Sequence, residues 1–274
     1  MTSFDPADRR GKIAIIGFPT DENSSYCRGA AEAPPLIRSA LFCEASNLWS
    51  ENGTNLGEGG VIIDAGDAVP AEGKDAFSEI EAAVRSLLGR NLRPIALGGD
   101  HAITYPVIRA IAGKYNGLTL LDFDAHPDLY DEFEGSRRSH ACPFARIMED
   151  RLARRLVQVG IRTMNGHQRR QAERFGVEVI EMRNWGDVLP ELQSPIYVSF
   201  DLDALDPAFA PGVAHREPGG LSVRQALSAI QSLEVELVGA DIVEFNPRLD
   251  TSNVTAVVCA KLIKEIASKM LESA

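Results

Sequence analysis

Three stretches of the sequence carry acids and histidines at spacings that can bring their side chains together. In Asp124-Ala125-His126-Pro127-Asp128 the reactive types recur at every second residue, and Asp201-Leu202-Asp203 repeats that spacing. An extended chain points successive side chains to opposite faces, so residues two apart can enter one cavity. His101, after Gly98-Gly99-Asp100, completes a set of two imidazoles and four carboxylates. Mostly hard oxygen donors with some nitrogen suit a pair of Mn2+-like ions. A single ion would leave acids unpaired, whereas four carboxylates balance two divalent cations and would otherwise repel one another strongly.

Residues so distant in sequence can meet only if strand ends deliver them. Short apolar runs at 12–18, 61–64, 94–97, 118–123, 156–160, 177–180, 196–200 and 237–243 read as about eight strands. Between several of them, 35–45, 76–88, 104–113, 223–232 and 256–270 carry apolar residues at helical spacing. That alternation predicts an α/β fold, a single-domain three-layer α/β/α architecture with a mostly parallel sheet, spanning 1–274. The polar, glycine-rich stretch 46–60 reads as a surface loop. In open parallel sheets the ligand site lies at the carboxyl ends of the strands. The runs ending at 97, 123, 200 and 243 lead directly into the His101, Asp124, Asp201 and Glu244 segments.

Composition narrows the partners. Twenty-eight basic against 39 acidic side chains give a formal net charge of −11, the wrong sign for neutralising phosphates, so nucleic acid is not expected. Residues 1–10 lack the apolar core of a signal peptide and no run is long enough to span a membrane, so a cytoplasmic protein is expected. Cys27, Cys43, Cys142 and Cys259 form no C-x-x-C pair and read as reduced thiols, with Cys142 a small buried one.

These signatures resemble the ureohydrolases, the arginase and agmatinase family. The resemblance is carried by Gly98-Gly99-Asp100-His101, Asp124-Ala125-His126-Pro127-Asp128, Ser139-His140 and Ser199 through Pro207. It extends from Asn23-Ser24-Ser25-Tyr26 and Ala33-Pro34-Pro35 to Ala210-Pro211-Gly212, Gly219-Gly220-Leu221-Ser222 and Glu244-Phe245-Asn246-Pro247. Asp131 to Gly135 and Gly212-Val213-Ala214-His215 are similar to plant-type arginases and related bacterial agmatinases. The resemblance implies that His101, Asp124, Asp128 and Asp201 hold one metal, and Asp124, His126, Asp201 and Asp203 the other. Asp124 and Asp201 would then bridge two Mn2+ ions. It also implies a homo-oligomer, often a trimer or hexamer. Two positions depart from the bacterial agmatinases: Asp122 stands where many have His, and His215 where Thr is usual. Asp100 and Asp206 read as supporting or turn residues rather than ligands.

The expected chemistry is release of urea from a small guanidino substrate. A guanidinium carbon is a poor electrophile, and two metals sharing a water lower its pKa enough to supply a nucleophile near neutral pH. His140 is the expected proton-transfer group for the departing amine. Glu244 is expected to accept hydrogen bonds from the guanidinium nitrogens, with His215 and Arg138 as further substrate-binding candidates. Carboxylates at Asp131, Glu132 and Glu134 favour agmatine, whose distal group is an ammonium. Arg137 and Arg138 beside His140 keep arginine and 4-guanidinobutyrate open as alternatives. The rival classes are a deacetylase of related topology with one zinc, separable by counting metals, and a non-catalytic binding protein, which six intact ligand candidates oppose.

Overall fold

A computed structural model describes residues 12–71 and 73–272; the opening segment 1–10, read above as lacking a signal sequence, lies outside them. Eight strands form one sheet: β1 (Ile13–Gly17), β2 (Ile62–Asp67), β3 (Arg93–Leu97), β4 (Thr119–Phe123), β5 (Arg155–Ile161), β6 (Glu178–Glu181), β7 (Ile196–Asp201) and β8 (Leu237–Val243). Their order is β2-β1-β3-β8-β7-β4-β5-β6, and every pairing is parallel. Each expected strand is present. The six between the sheet edges are almost wholly buried, which is why their sequences read as unbroken apolar runs rather than alternations.

Among the described residues seven α-helices cover the sheet: α1 (Ala33–Leu41), α2 (Ala76–Gly89), α3 (Thr104–Ala112), α4 (Pro143–Glu149), α5 (Gly166–Phe175), α6 (Val223–Gln231) and α7 (Val254–Glu272). Two separate apolar cores show the three layers. Ile13, Ile15, Leu97 and Phe200 pack with Ile37, Leu227 and Ile263 of α1, α6 and α7. Their strand neighbours Ala14, Ile16, Ala96 and Tyr197 face Val84, Val107 and Phe144 of α2, α3 and α4. The expected helix 35–45 ends early, at Leu41, because the chain turns at Phe42, which is largely exposed, and closes a further turn from Ser46 N–H to the Cys43 carbonyl.

Two helices carried no periodic signal. Helix α4 is only seven residues long and its first five residues are all buried, so there is no polar face to set a period. Helix α5 is mostly polar, with few apolar residues to mark a face. Its local signal is the capping box at its start, where the Asn165 side chain accepts from Gln168 N–H and the Gln168 side chain accepts from Asn165 N–H.

Register delivers the chemistry. The four central strands β3, β8, β7 and β4 are consecutive neighbours, and Leu97, Ile242, Phe200 and Phe123 stand side by side across them. The residues immediately after these positions therefore emerge at one level. The chain leaves β3 through Gly99, where a Cβ would stand 1.8 Å from the Thr20 carbonyl oxygen and 3.0 Å from that of Phe18. Gly99→Ala should cost about 3 kcal/mol through this overlap with backbone. A chemical-denaturation midpoint equal to that of the unsubstituted protein would contradict the close approach.

Candidate metal centre and pocket

At this level three carboxylates converge on one imidazole. His101 Nδ1 lies 3.1 Å from Asp128, 3.3 Å from Asp124 and 3.3 Å from Asp201. Beside it, His126 Nδ1 lies 3.0 Å from Asp203 and 3.7 Å from Asp124. Asp124 thus belongs to both groups, and His101, Asp124, Asp128 and Asp124, His126, Asp203 each place donor atoms close enough to hold one ion. Short turns aim these acids. Asp124 Oδ1 accepts His126 N–H at 2.6 Å, Asp201 Oδ1 accepts Asp203 N–H at 2.8 Å, and Asp203 Oδ1 accepts Ala125 N–H at 3.1 Å. In each carboxylate one oxygen is anchored by backbone.

Two of the converging atoms lack a hydrogen-bond partner. His101 Nδ1 and Asp124 Oδ2 are buried without a completed hydrogen bond, an expensive state unless something else satisfies them. Burial, then the charges of Asp128 and Asp203, push the Asp124 carboxyl up to about 6. Burial together with Asp203 and Asp124 raises Asp201 well above the carboxylate range. Although burial opposes it, the charge of Asp203 together with Asp124 pushes His126 up to about 12. The cluster is short of positive charge, and its oxygen and nitrogen donors fit two hard divalent cations.

Residues that sequence reasoning passed over hold the donors in place. His101 Nε2 lies 3.0 Å from Ser199 Oγ, which donates at 2.7 Å to Asp241 Oδ1. Asp241 is fully buried and also accepts from Tyr197 and Thr104 hydroxyls. Because the serine hydroxyl gives its hydrogen to Asp241, its oxygen receives that of Nε2, which turns Nδ1 toward the acids. Only the second residue before Asp201 and the third before Glu244 hinted at this chain, each being a polar group on an otherwise apolar strand. Asp122, on β4, accepts from Gln158 Nε2 at 2.9 Å and is not among the converging ligands.

A cavity of about 190 Å³ opens over the acids, lined among others by Ser25, His126, Tyr130, His140, His215 and Glu244. His140 Nδ1 lies 2.9 Å from Glu244 Oε1, and that oxygen also accepts His101 N–H at 2.9 Å. Glu244 reaches this position from a left-handed backbone, φ 63°, a conformation unusual outside glycine. Burial favours the neutral ring, but the Glu244 carboxylate beside it pushes His140 up to about 9. The His215 ring stands 5.2 Å from that of His140 and 6.0 Å from that of His126. Asp100 is buried and accepts from Asn23 N–H and Ala102 N–H, and Asp206 accepts from Ala208, Gly219 and Gly220, so both serve turns.

Two expectations are corrected by this geometry. Arg138 does not line the cavity: its guanidinium pairs with Asp75 at 2.5 Å and lies over the Phe77 ring. Nor do Asp131, Glu132 and Glu134 line it. Asp131 is taken by Arg137 and Arg146, while Glu132 and Glu134 are exposed, so the carboxylates expected to meet a distal ammonium face elsewhere.

A parallel α/β/α sheet with this donor set at its central strand ends is the framework of a ureohydrolase. Residues 11–268 match the family model described as the arginase family. Arginase 1, mitochondrial, of Arabidopsis thaliana is 46% identical over 95% of this chain and 82% of its own. Agmatinase of Bacillus cereus is 32% identical over 95% of this chain and 92% of its own. Among solved structures, arginase from Medicago truncatula superposes with a TM-score of 0.89 at 44% identity, covering 94% of this chain and 87% of that one. The chain belongs to the arginase family, hydrolases acting on guanidino carbon–nitrogen bonds. Among the described residues no helix is long and apolar enough to cross a membrane.

Ser199→Ala would strip the partner from His101 Nε2 and from Asp241 Oδ1 while leaving every converging donor in place. Mn2+ affinity should fall by about tenfold to a hundredfold. Calorimetric titration giving an unchanged Kd would remove Ser199 from the support of the centre.

Proposed function

We propose that the protein hydrolyses arginine to ornithine and urea. The carrying observation is the cavity's outer wall. Beyond the acids of the converging set and Glu244, no carboxylate lines it among the described residues; Tyr130, Thr163, Asn165 and Gln168 do. An agmatine ammonium would find no counter-charge there. A substrate carboxylate would face hydroxyls, amides and the N-terminal end of α5, whose helix dipole favours anions. The 46% identity to a protein named arginase, against 32% to one named agmatinase, supports the same choice.

When bound, two Mn2+ ions would lower the pKa of water enough for it to serve as a nucleophile near neutral pH. His101, Asp124, Asp128 and Asp201 would hold one ion and Asp124, His126, Asp201 and Asp203 the other, and the place of Asp124 in both converging groups supports its serving both. Glu244 presents a buried carboxylate for the guanidinium nitrogens and fixes the carbon for attack. His140, protonated beside Glu244, gives the departing amine its proton. His215 lines the same cavity, its ring beside that of His140. Because no carboxylate awaits an α-ammonium, 4-guanidinobutyrate is the second reading the cavity favours.

The substrate is tested by kcat/KM for arginine, 4-guanidinobutyrate and agmatine after Mn2+ loading. Arginine should lead and agmatine should be the poorest of the three, whereas agmatine in front would reject the proposal. The centre is tested by elemental analysis of the active protein, which should give two metals per chain. Asp124→Asn should lose more metal than Asp128→Asn because only the former serves both ions; equal retention would sink the bridge.

A further inference from the structure

Both ring nitrogens of His140 are engaged. Nδ1 meets Glu244 Oε1, and Nε2 lies 2.9 Å from Ser25 Oγ and accepts Ser25 N–H at 3.3 Å, the arrangement that suits the ring once it has given up its Nε2 proton. A proton leaving this ring for the substrate therefore passes through one of two neighbours. Glu244 Oε1 already accepts His101 N–H while meeting His140 Nδ1, so it is committed on two sides. The serine hydroxyl can both give and accept, and Ser25 lines the cavity.

The segment around Ser25 is fastened on both sides. Asn23 N–H donates to Asp100 Oδ2 at 2.8 Å, and the Asn23 carbonyl accepts His140 N–H at 3.1 Å. Farther on, the Cys27 carbonyl accepts from Asn246 Nδ2 at 2.9 Å, and Gly29 N–H donates to Asp21 at 2.6 Å. Asp100 and Asn246 follow β3 and β8, so the strands that present His101 and Glu244 also hold Ser25 against the ring. A loop serine that merely satisfied a histidine would need no such fastening.

We propose that Ser25 positions His140 and relays its proton to the cavity, an inference that rests on His140 being the acid of the proposed hydrolysis. As the tetrahedral carbon expels the amine, the carbon–nitrogen electron pair goes to the nitrogen. Ser25 Oγ–H gives its proton to that nitrogen while His140 Nε2–H gives its own to Ser25 Oγ. The serine is restored, the ring becomes neutral, the amine leaves neutral, and the protonated urea passes its extra proton to water. Charged groups facing the ring are Glu244 after β8, Asp100 after β3 and Asp128 after β4, and His215 is its neighbouring imidazole.

The test uses the full chain loaded with Mn2+, with arginine as substrate or whichever guanidino compound the panel favours. Ser25→Ala keeps the backbone N–H contact and removes only the hydroxyl. It should retain metal and a KM within about twofold, while kcat falls about tenfold or more. Ser25→Thr, which restores a hydroxyl, should recover kcat to within about threefold. The plot of kcat against deuterium fraction should be curved in the unsubstituted enzyme, two protons moving together, and straight in Ser25→Ala. If His140→Ala slows turnover but Ser25→Ala does not, the relay is wrong and the role of His140 stands. A loss in Ser25→Ala that Thr does not recover, with the curvature unchanged, would show packing alone and overturn the relay. Unslowed turnover in His140→Ala would overturn the reading beneath it as well.

Discussion

Four carboxylates brought to one rim of a sheet set the terms for the rest of this structure. Asp124, Asp128, Asp201 and Asp203 are all buried, and each raises the cost of charging its neighbours. Apolar packing alone would push such groups apart or neutralise them. Their persistence depends on backbone N–H groups that hold one oxygen of Asp124, Asp201 and Asp203, and on the His101 imidazole turned inward by Ser199. Asp241 lies behind His101 and accepts from three hydroxyls, and through Ser199 it sets the direction of the ring. The polar atoms under the centre thus form one connected system.

Much of this was legible in the chain. The alternation in Asp124-Ala125-His126-Pro127-Asp128 and Asp201-Leu202-Asp203 predicted convergence because spacing of two is a property of extended backbone, independent of what lies around it. The strands were legible for a similar reason: β3, β4, β7 and β8 are apolar on both faces. Illegible were the residues whose roles are made by distant partners. Ser199 and Ser25 are ordinary serines until Asp241 and His140, 42 and 115 residues away, come beside them. Helix α5 hid behind its polar sequence, and its capping box was the one local mark of it.

Arg138 and the acidic stretch from Asp131 to Glu134 show the opposite error. Their nearness in sequence to His140 suggested a part in the substrate's far end, yet the loop turns their side chains outward. Arg137 and Arg146 close on Asp131, and Arg138 closes on Asp75 at the start of α2. Charge complementarity within the surface consumed the groups that the substrate argument had reserved. What remains at the mouth is neutral donors and a helix end, which changes the kind of tail the cavity can receive.

The strand order also governs when the centre can come into being. The first three strands pair among themselves on one side, β4, β5 and β6 pair on the other, and β3 never touches β4. Only β7 and β8, last in the chain, fill the gap between them. During synthesis the emerging polypeptide thus holds His101 on one half and Asp124, His126 and Asp128 on another, with no sheet joining them. Domains of this size commonly assemble through partly formed states in which exposed strand edges are a hazard. Here the two unpaired edges are those of β3 and β4, and the C-terminal third acts as a keystone: its insertion seals both edges and, in the same event, closes the ring of ligands.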